Sequence, residues 1–377
     1  KKRFWGLSFT DRLGLSVSQA VFAWGLVVLI GGVAGLFSML ICSYVMSFGG
    51  IDSANKHGIS KVTASRVGGL AIMIYMLVHL GYQFSLGVYL PLADESFVIV
   101  TCLIFFMLGM FEDLQGNLSA RIRFSLMLVI ALVTLLLSPS LVLHPVGVFW
   151  VDAILGSSKT VALLFSGVCI AFVPNAFNTA DGANGLVAGT SIFALAGLTT
   201  VAPPSIIPFL SAGLVGCVIF LVFNLVSGRF FLGDGGAYLL GALCGMGLIL
   251  VANSTEVSAW WLLSLIFYPV ADLMWSMARR ILAGGSPMEP DNQHLHNLLF
   301  SYFDSGSMSS SQANSLTGLS IALIFSGFPL GMTWSGLWVV TDSVWLLWVC
   351  VQWLIYGLTW KYLNDRMYVL PETMNQM

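Results

Sequence analysis

The chain has 377 residues, of which 58% are hydrophobic and only 8% are charged, and its formal net charge is −2. Soluble domains carry about a quarter charged residues, so this composition excludes an ordinary soluble domain and predicts a polytopic membrane protein. Nothing in it indicates a nucleic-acid surface. The six cysteines stand singly in apolar runs without a CxxC pair, so neither a disulfide framework nor a zinc-thiolate site is expected.

Hydrophobic runs divide the chain into about eleven predicted spans, or ten because several runs are short or contain glycine. Crossing a bilayer takes about 20 apolar residues. The predicted spans are 21–48, 67–84, 96–111, 124–143, 159–177, 185–202, 205–226, 237–252, 258–278, 316–338 and 342–360. We therefore expect an all-α polytopic membrane protein, with an N-terminal surface segment over 1–20, a single transmembrane domain over 21–360 and a tail over 361–377.

Basic residues collect on one side of this predicted topology. The loops after the odd-numbered spans and the tail contain Lys56, Lys61, Arg66, Arg121, Arg123, Arg229, Arg279, Arg280, Lys361 and Arg366. The opposite internal loops contain only Lys159. By the positive-inside rule the basic side is cytoplasmic. The basic N-terminal residues are the exception, so either that segment lies along the membrane surface or the first predicted span is wrong.

Two adjacent acids, Glu112 and Asp113, stand at the predicted cytoplasmic end of a span. Neighbouring carboxylates repel each other unless a cation or a proton relieves them. Arg121 and Arg123 lie close behind and could offset the charge or grip a lipid phosphate. The pair is therefore a candidate for chemistry, and a solvated helix end is the alternative.

Two further islands on the same side combine oxygen ligands with glycine. One contains Asn178, Asp181 and Asn184, and the other contains Asp234 in a Gly-Asp-Gly-Gly sequence with Asn224 upstream. Such oxygens suit Mg²⁺, which proteins usually hold with one or two carboxylates and substrate phosphates. Glycine also lets the backbone approach a phosphate closely. These islands predict a magnesium and phosphate site with Asp234 as the best ligand, and polar turns between helices are the alternative.

A last polar group lies in the C-terminal half. Asp272 falls inside a predicted span, where a carboxylate is by default functional or paired. Arg279 and Arg280 follow, and then His294 and His296, which on an extended loop would point the same way. Phosphate contact through imidazole and guanidinium is the interpretation that we favour. A zinc site lacks an evident third ligand, and a solvated loop is the plain alternative.

In their order along the chain, these islands resemble the polyprenyl-phosphate N-acetylhexosamine-1-phosphate transferase superfamily, glycosyltransferase family 4, from about residue 52 to about residue 298. Asn-Thr-Ala-Asp-Gly from Asn178 and Phe-Leu-Gly-Asp ending at Asp234 are similar to the superfamily at large. Pro-Asp-Asn-Gln-His-Leu-His ending at His296 resembles the bacterial branch that starts lipopolysaccharide O-antigen and enterobacterial common antigen chains.

The resemblance implies transfer of a sugar 1-phosphate from a UDP-N-acetylhexosamine, UDP-N-acetylglucosamine first among them, to undecaprenyl phosphate with release of UMP. Asp234 would hold Mg²⁺, for which Mn²⁺ could substitute, with Asn178 as a second ligand. The catalytic acids would be Asp113, Glu112 and Asp181. Further substrate-binding positions would be Asn184, Lys56, Arg66, Arg121, Asn224, Asp272, Arg279, Arg280, His294 and His296.

The resemblance also implies a multi-pass protein of the bacterial inner (cytoplasmic) membrane, with its active site in loops on the cytoplasmic face, and it allows a homodimer. Three residues depart from the usual motifs, since Glu112 and Asn184 replace aspartates and Asn297 replaces a histidine. A secondary transporter of a nucleotide-linked or lipid-linked sugar, and an inactive scaffold, are the other classes of function.

Two mechanisms are open at this stage. The acceptor phosphate is largely a dianion at neutral pH because its second pKa is about 6, so a strong general base is not obligatory. We expect one direct displacement, with Asp113 or Glu112 orienting the acceptor. The alternative is a covalent phosphate intermediate on Asp113.

Overall fold

The computed structural model describes residues 66–85, 93–116, 118–227, 230–289, 291–341 and 343–374, together with the isolated positions 29, 33 and 37. The predicted N-terminal segment, nearly all of the first predicted span and Lys56 lie outside these residues. The role of Lys56 therefore stays a prediction.

Helices joined by turns account for most of the described residues, which confirms the predicted all-α class. They are α1 (Gly68–Ser85), α2 (Ala93–Gln115), α3 (Ala120–Leu137), α4 (Phe149–Ser157), α5 (Lys159–Ala180), α6 (Leu186–Val201), α7 (Ile207–Ser227), α8 (Gly233–Ser254), α9 (Ala259–Leu265), α10 (Phe267–Leu282), α11 (Leu295–Asp304), α12 (Ser310–Ala322), α13 (Phe328–Trp334) and α14 (Val344–Met374). A 3₁₀ turn covers Pro139–Leu141, and a π-helical turn over Leu323–Gly327 joins α12 to α13.

Among the described residues, seven helical segments are long and apolar enough to cross a membrane. They are α1, α2, α3, α5, α7, α8 and the continuous segment Ser310–Trp334. The number becomes eight if α9 and α10, which meet at an angle of 83°, form one broken span. The chain is therefore a multi-pass membrane protein. Each predicted span after the first overlaps at least one of these helices, including the shorter α6 and the terminal α14.

Helix α8 lies at the centre of the bundle and is almost entirely buried against α1, α2, α5 and α6. Glycine makes the closest of these contacts possible because it has no Cβ to separate the backbones. Gly236 of α8 faces Gly69 of α1, and a Cβ on Gly109 of α2 would overlap the backbone of Asp234. The start of α8 is therefore held closely against α1 and α2.

The polar islands lie largely at helix ends, as predicted for the Glu112-Asp113 pair, whereas Asn178 and Asp234 were expected in loops. Asp113 lies in the last turn of α2, Asn178 lies in the last turn of α5, and Asp234 is the second residue of α8. The predicted span 258–278 is also wrong as one straight helix, because the chain turns by 83° at Ile266 between α9 and α10.

Candidate active site

The side chain of Asp113 caps the N-terminus of α8. Its Oδ1 accepts the backbone N–H of Asp234 at 3.0 Å, and its Oδ2 accepts that of Gly235 at 2.9 Å. A carboxylate suits this place because the first N–H groups of a helix lack partners and carry partial positive charge. The side chain is 0% exposed. Asp113 therefore fixes the backbone that carries Asp234.

The short segment before α8 is held from two other directions. The backbone N–H groups of Gly68 and Gly69 donate to the carbonyls of Phe231 and Leu232 at 3.0 and 2.9 Å. Asn224, which is 3% exposed, donates from its side-chain amide to the Phe230 carbonyl at 2.7 Å. Asn224 therefore binds the backbone of the segment that precedes α8.

The carboxylate of Asp234 lies among polar groups from three other helices. Its Oδ2 accepts from Nη1 of Arg123 at 2.7 Å, and the side chain of Asn178 hydrogen-bonds to it. The same Arg123 nitrogen lies 3.9 Å from Oε1 of Glu112. Nη1 of Arg66 lies 3.7 Å from Oδ1 of Asp113. Five predicted site residues, with Arg66 among them, therefore meet here, together with Arg123.

Asp181 joins this group from the C-terminus of α5, where it is the capping residue. Burial is the largest cause that raises the pKa of Asp181, to about 7, followed by the negative charges of Asp234 and Asp113 and opposed by Arg66. Hereafter the carboxylate cluster means Arg66, Glu112, Asp113, Arg123, Asn178, Asp181 and Asp234. The effect of its acids on one another shows that added positive charge would be favourable here.

The carboxylate cluster fits Mg²⁺ by its chemistry. Within the described ranges no group of three or more His, Cys, Asp or Glu side chains could hold a metal ion by itself. Mg²⁺ usually takes only one or two carboxylates and completes its shell with substrate phosphates and water. Asp234 is 20% exposed, so one face of its carboxylate is open to a ligand. A protein-only metal cage is therefore not needed at this place.

A second group is built around Asp272 of α10, which is 0% exposed. Its Oδ2 accepts from Nδ1 of His294 at 2.7 Å, and its Oδ1 accepts from the hydroxyl of Tyr356 at 2.7 Å. The backbone N–H of Leu295 also donates to Oδ1, at 3.1 Å. These donors satisfy a carboxylate that would be costly to bury alone.

His296 lies beside this pair. The hydroxyl of Tyr268 accepts its backbone N–H at 3.1 Å and lies 2.9 Å from its Nδ1. The rings of His294 and His296 stack at 5.4 Å between centroids with only 4° between their planes. The two side chains thus point the same way, with His294 as the extended capping residue of α11 and His296 in its first turn. Hereafter the histidine cluster means Tyr268, Asp272, His294 and His296.

The two clusters meet at the turn after α5. A Cβ placed on Gly182, next to Asp181, would overlap Nε2 of His296. The same turn is fixed on its other side, where the backbone N–H of Asn184 donates to Oδ1 of Asn314 at 2.8 Å. Asn184, which replaces an aspartate of the usual motif, is therefore buried, and its backbone anchors the turn to α12.

The predicted arginines outside the two clusters have partners of their own. Nη2 of Arg279 pairs with Asp291 at 2.7 Å and its guanidinium lies 4.8 Å over the ring of Trp360. Arg280 donates to the Ser276 backbone and hydroxyl. Arg121 is exposed and its Nη2 lies 3.4 Å from the Ser286 hydroxyl. These side chains lie on the cluster side of the bundle, next to the loop that follows α10.

Sequence reasoning left Arg123 and Tyr356 out of the predicted site. Residues two apart do not share a helix face, so the choice of Arg121 over Arg123 could not be made without knowing which face α3 turns to Asp234. Tyr356 was not recognised because a tyrosine in an apolar span usually packs in the hydrophobic core. Its spacing of four residues from Gln352 and from Trp360 was the available signal.

Residues 96–252 match the family model described as glycosyl transferase family 4. The undecaprenyl-phosphate alpha-N-acetylglucosaminyl 1-phosphate transferase of Escherichia coli O157:H7 is 26% identical over 85% of this chain and 86% of its own length. The probable undecaprenyl-phosphate N-acetylglucosaminyl 1-phosphate transferase of Bacillus subtilis is 24% identical over 86% and 90%. The decaprenyl-phosphate N-acetylglucosaminephosphotransferase of Mycolicibacterium smegmatis is 24% identical over 72% and 74%.

These similarities agree with the motifs that carry the resemblance, since Asp113, Asn178, Asp181 and Asp234 all lie inside the matched segment. The relatives align over most of the chain rather than over one motif. Residues 96–252 are thus similar to glycosyl transferase family 4, and most of the chain is similar to bacterial polyprenyl-phosphate N-acetylglucosamine-1-phosphate transferases.

Proposed function

We propose that this protein transfers N-acetylglucosamine 1-phosphate from UDP-N-acetylglucosamine to undecaprenyl phosphate, with release of UMP. The lipid diphosphate-linked sugar that results would start an O-antigen or another cell-envelope glycan. The observation that carries the proposal is the carboxylate cluster, in which Asp234 stands with Arg123 and Asn178 at the end of a membrane bundle. The names of the three relatives support the substrates.

The carboxylate cluster would hold the cofactor. Asp234 and Asn178 would bind Mg²⁺, or Mn²⁺ in its place, and the ion when bound would neutralise oxygens of the donor diphosphate. Arg123 already pairs with Asp234, so its guanidinium is close enough to share the charge of a bound phosphate. Burial raises the pKa of Asp181 most, and the charges of Asp234 and Asp113 raise it further, which supports a cation at this place.

The reaction that we propose is a single displacement. An oxygen of the acceptor phosphate attacks the β-phosphorus of the donor, the bond from that phosphorus to the bridging oxygen breaks, and UMP leaves with that oxygen. The protein contributes positioning and charge, which carry most phosphoryl transfer. Asp113 would act by holding the start of α8, because both of its oxygens already accept backbone hydrogen bonds and its side chain is fully buried. This arrangement favours the direct scheme over a phosphate carried on Asp113.

The histidine cluster would lie on the donor side. Nδ1 of His294 is engaged by Asp272, so Nε2 is the nitrogen left to face a ligand. Its neighbour His296 contacts the turn that carries Asp181. Imidazole nitrogens beside the diphosphate would help to orient it.

The catalytic face would be cytoplasmic, in the bacterial inner membrane. Arg66, Arg123, Arg279 and Arg280 all lie at the same end of the bundle as the two clusters. Basic residues favour the cytoplasmic side of a membrane protein. UDP-sugars would reach the site from that side.

Purified protein in detergent tests the proposal with undecaprenyl phosphate, UDP-N-acetylglucosamine and Mg²⁺. We expect release of UMP that stops with EDTA and falls at least a hundredfold in Asp234→Asn. Glu256→Gln, an exposed acid at the other end of α8, is the matched control and should retain wild-type turnover. Release of UDP instead of UMP would mean transfer of the bare sugar and would overturn the proposal. If no UMP is released with UDP-N-acetylglucosamine, the same assay is repeated with other UDP-N-acetylhexosamines.

A further inference from the structure

The last helix contacts the histidine cluster and the segments beside it through three side chains spaced by four residues. Gln352, Tyr356 and Trp360 lie along one face of α14, because residues four apart in a helix are neighbours. Each donates a hydrogen bond to a different part of the protein. The three together form a stripe of polar groups in an otherwise apolar helix.

The two outer members of this stripe fix the helix against the elements that carry the histidine cluster. Nε2 of Gln352 donates to the carbonyls of Ser264, just before the α9–α10 break, and Phe325, at 3.1 and 2.7 Å. Nε1 of Trp360 donates to the carbonyl of Gln293 at 2.8 Å, next to His294. The helix is therefore anchored on both sides of its central member.

The central member, Tyr356, is fully buried and has little freedom to move. Its ring packs against Tyr268, Trp353 and Phe325 with centroid distances of 6.2, 6.1 and 6.5 Å. Its hydroxyl donates to Oδ1 of Asp272 at 2.7 Å. The rigid ring thus places one hydrogen-bond donor at a fixed point beside the buried carboxylate.

The orientation of Asp272 in turn determines that of His294. Tyr356 and the backbone N–H of Leu295 hold Oδ1, which leaves Oδ2 for Nδ1 of His294. A carboxylate on one ring nitrogen selects the direction in which the other nitrogen points. Loss of the Tyr356 hydroxyl would leave Oδ1 with one donor and allow the carboxylate to rotate away from the imidazole.

We propose that Tyr356 is a positioning residue for sugar 1-phosphate transfer, acting through Asp272 to set the ring of His294 toward the donor. The inference rests on the proposed function, in which His294 lies on the donor side. It assigns a part in the reaction to the last helix, which lies outside the segment 96–252 that matches the family.

Tyr356→Phe tests the inference because it removes only the hydroxyl. We expect kcat/KM for UDP-N-acetylglucosamine to fall about tenfold, as for a lost hydrogen bond to a charged group, while KM for undecaprenyl phosphate stays at the wild-type value. Tyr362→Phe, on the exposed side of α14, is the matched control and should leave both parameters unchanged. Elution from a sizing column and the melting temperature establish that each variant is folded.

A double-mutant cycle separates positioning from a general structural effect. If Tyr356 acts through His294, then adding Tyr356→Phe to His294→Asn should cost less than twofold further. Multiplicative losses in the double variant, or equal losses for donor and acceptor, overturn the inference. If Tyr356→Phe does not fold, 2,3-difluorotyrosine at position 356 keeps the ring and changes only the strength of the hydroxyl as a hydrogen-bond donor. An unchanged kcat/KM for UDP-N-acetylglucosamine in that protein also overturns the inference.

The wild-type protein distinguishes this inference from the proposed function. Wild-type protein that releases no UMP with any UDP-N-acetylhexosamine overturns both. Wild-type turnover together with an unimpaired Tyr356→Phe overturns the inference alone.

Discussion

In the reaction that we propose, Asp113 would serve without touching the reacting atoms. Its two oxygens accept the N–H groups of Asp234 and Gly235, and Arg66 lies beside it. A nucleophile needs a path to its target, whereas this side chain is fully buried and both of its oxygens are oriented by backbone hydrogen bonds. Asp113 therefore acts as a helix cap that sets the position of Asp234, the proposed metal ligand.

Replacement of Asp113 by Asn tests this role. The amide keeps one acceptor, presents an N–H₂ group to the second backbone N–H and loses the charge. We expect a loss of about 1 kcal/mol in the free energy of unfolding, typical of a helix cap, and transfer at least tenfold slower. Asp365→Asn, an exposed acid near the end of α14, serves as the control in the same UMP assay.

Isotope exchange distinguishes the two mechanisms at the same residue. In a direct displacement, labelled UMP should not exchange into UDP-N-acetylglucosamine when undecaprenyl phosphate is absent. Acceptor-independent exchange in the wild type that disappears in Asp113→Asn would contradict the account and support a covalent intermediate.

His296 gives a prediction about pH. Burial lowers the pKa of this imidazole from 6.5 to about 4, against a smaller opposing effect of Asp272. A lowered pKa means that the folded state favours neutral histidine, so its contribution to stability is present above about pH 6.5 and is lost as the pH falls towards 4. The steepest loss would be about 1.4 kcal/mol per pH unit.

Thermal unfolding in detergent between pH 7 and pH 5 measures this effect. The wild type should lose stability faster than His296→Gln as the pH falls, because glutamine does not titrate. Parallel curves for the two proteins would contradict a neutral, buried His296.

At the scale of the elements, the start of α8 differs from the position predicted from the sequence. Gly233, Gly235 and Gly236 are poor helix formers, so the predicted span began at residue 237 rather than at 233. The helix begins earlier because Asp113 caps its first N–H groups, and this contact joins residues 121 positions apart. Hydropathy along the chain located the spans but contained no signal for such a contact.

The break between α9 and α10 has a similar reason. The residues on both sides of Ile266 are apolar, so the sequence pattern predicts one continuous span there. Tertiary contacts stabilise the 83° bend, including the donation from Gln352 to the Ser264 carbonyl. Candidate site residues could be selected from the sequence because acids and amides are rare in this chain, whereas the faces that they occupy depend on helix packing.

Gly233 tests the packing at the start of α8. Its φ of 75° is a conformation that side-chain-bearing residues avoid, and a Cβ there would lie 2.7 Å from the Arg66 carbonyl oxygen and 2.8 Å from Oδ2 of Asp113. Gly233→Ala should therefore lower the melting temperature, at a cost of about 1–2 kcal/mol or more, and reduce UMP release at least tenfold. Gly81→Ala in α1, where the Cβ meets nothing within 4 Å, should behave as the wild type. Equal behaviour of the two variants would contradict the close packing.

At the scale of the whole molecule, charge is distributed unequally between the two ends of the bundle. The carboxylate cluster, its arginines and the histidine cluster all lie at one end, reached by the C-terminus of α5 and the N-terminus of α8. A transporter would be expected to hold its substrate near the middle of the membrane. The arrangement at one end suits an enzyme whose water-soluble donor meets a lipid acceptor at the surface.

Cysteine labelling tests the sidedness of this arrangement in a chain whose six natural cysteines have been replaced. Ala283→Cys follows α10 on the cluster side, and Ser157→Cys ends α4 before α5 begins on the other; both positions are exposed. An impermeant maleimide should label Ala283→Cys only in inverted membrane vesicles and Ser157→Cys only in intact spheroplasts. Labelling from the reversed sides would contradict a cytoplasmic site.

The fate of the β-phosphate of the donor shows whether the protein transfers a sugar 1-phosphate or the bare sugar. UDP-N-acetylglucosamine labelled with ³²P at that phosphate is incubated with the protein, Mg²⁺ and undecaprenyl phosphate, and the lipid and nucleotide fractions are then separated. Sugar 1-phosphate transfer predicts label in the lipid in an amount equal to the UMP formed, and at least a hundredfold less of both in Asp234→Asn. Label that stays in the nucleotide as UDP, while the sugar alone reaches the lipid, would contradict the account.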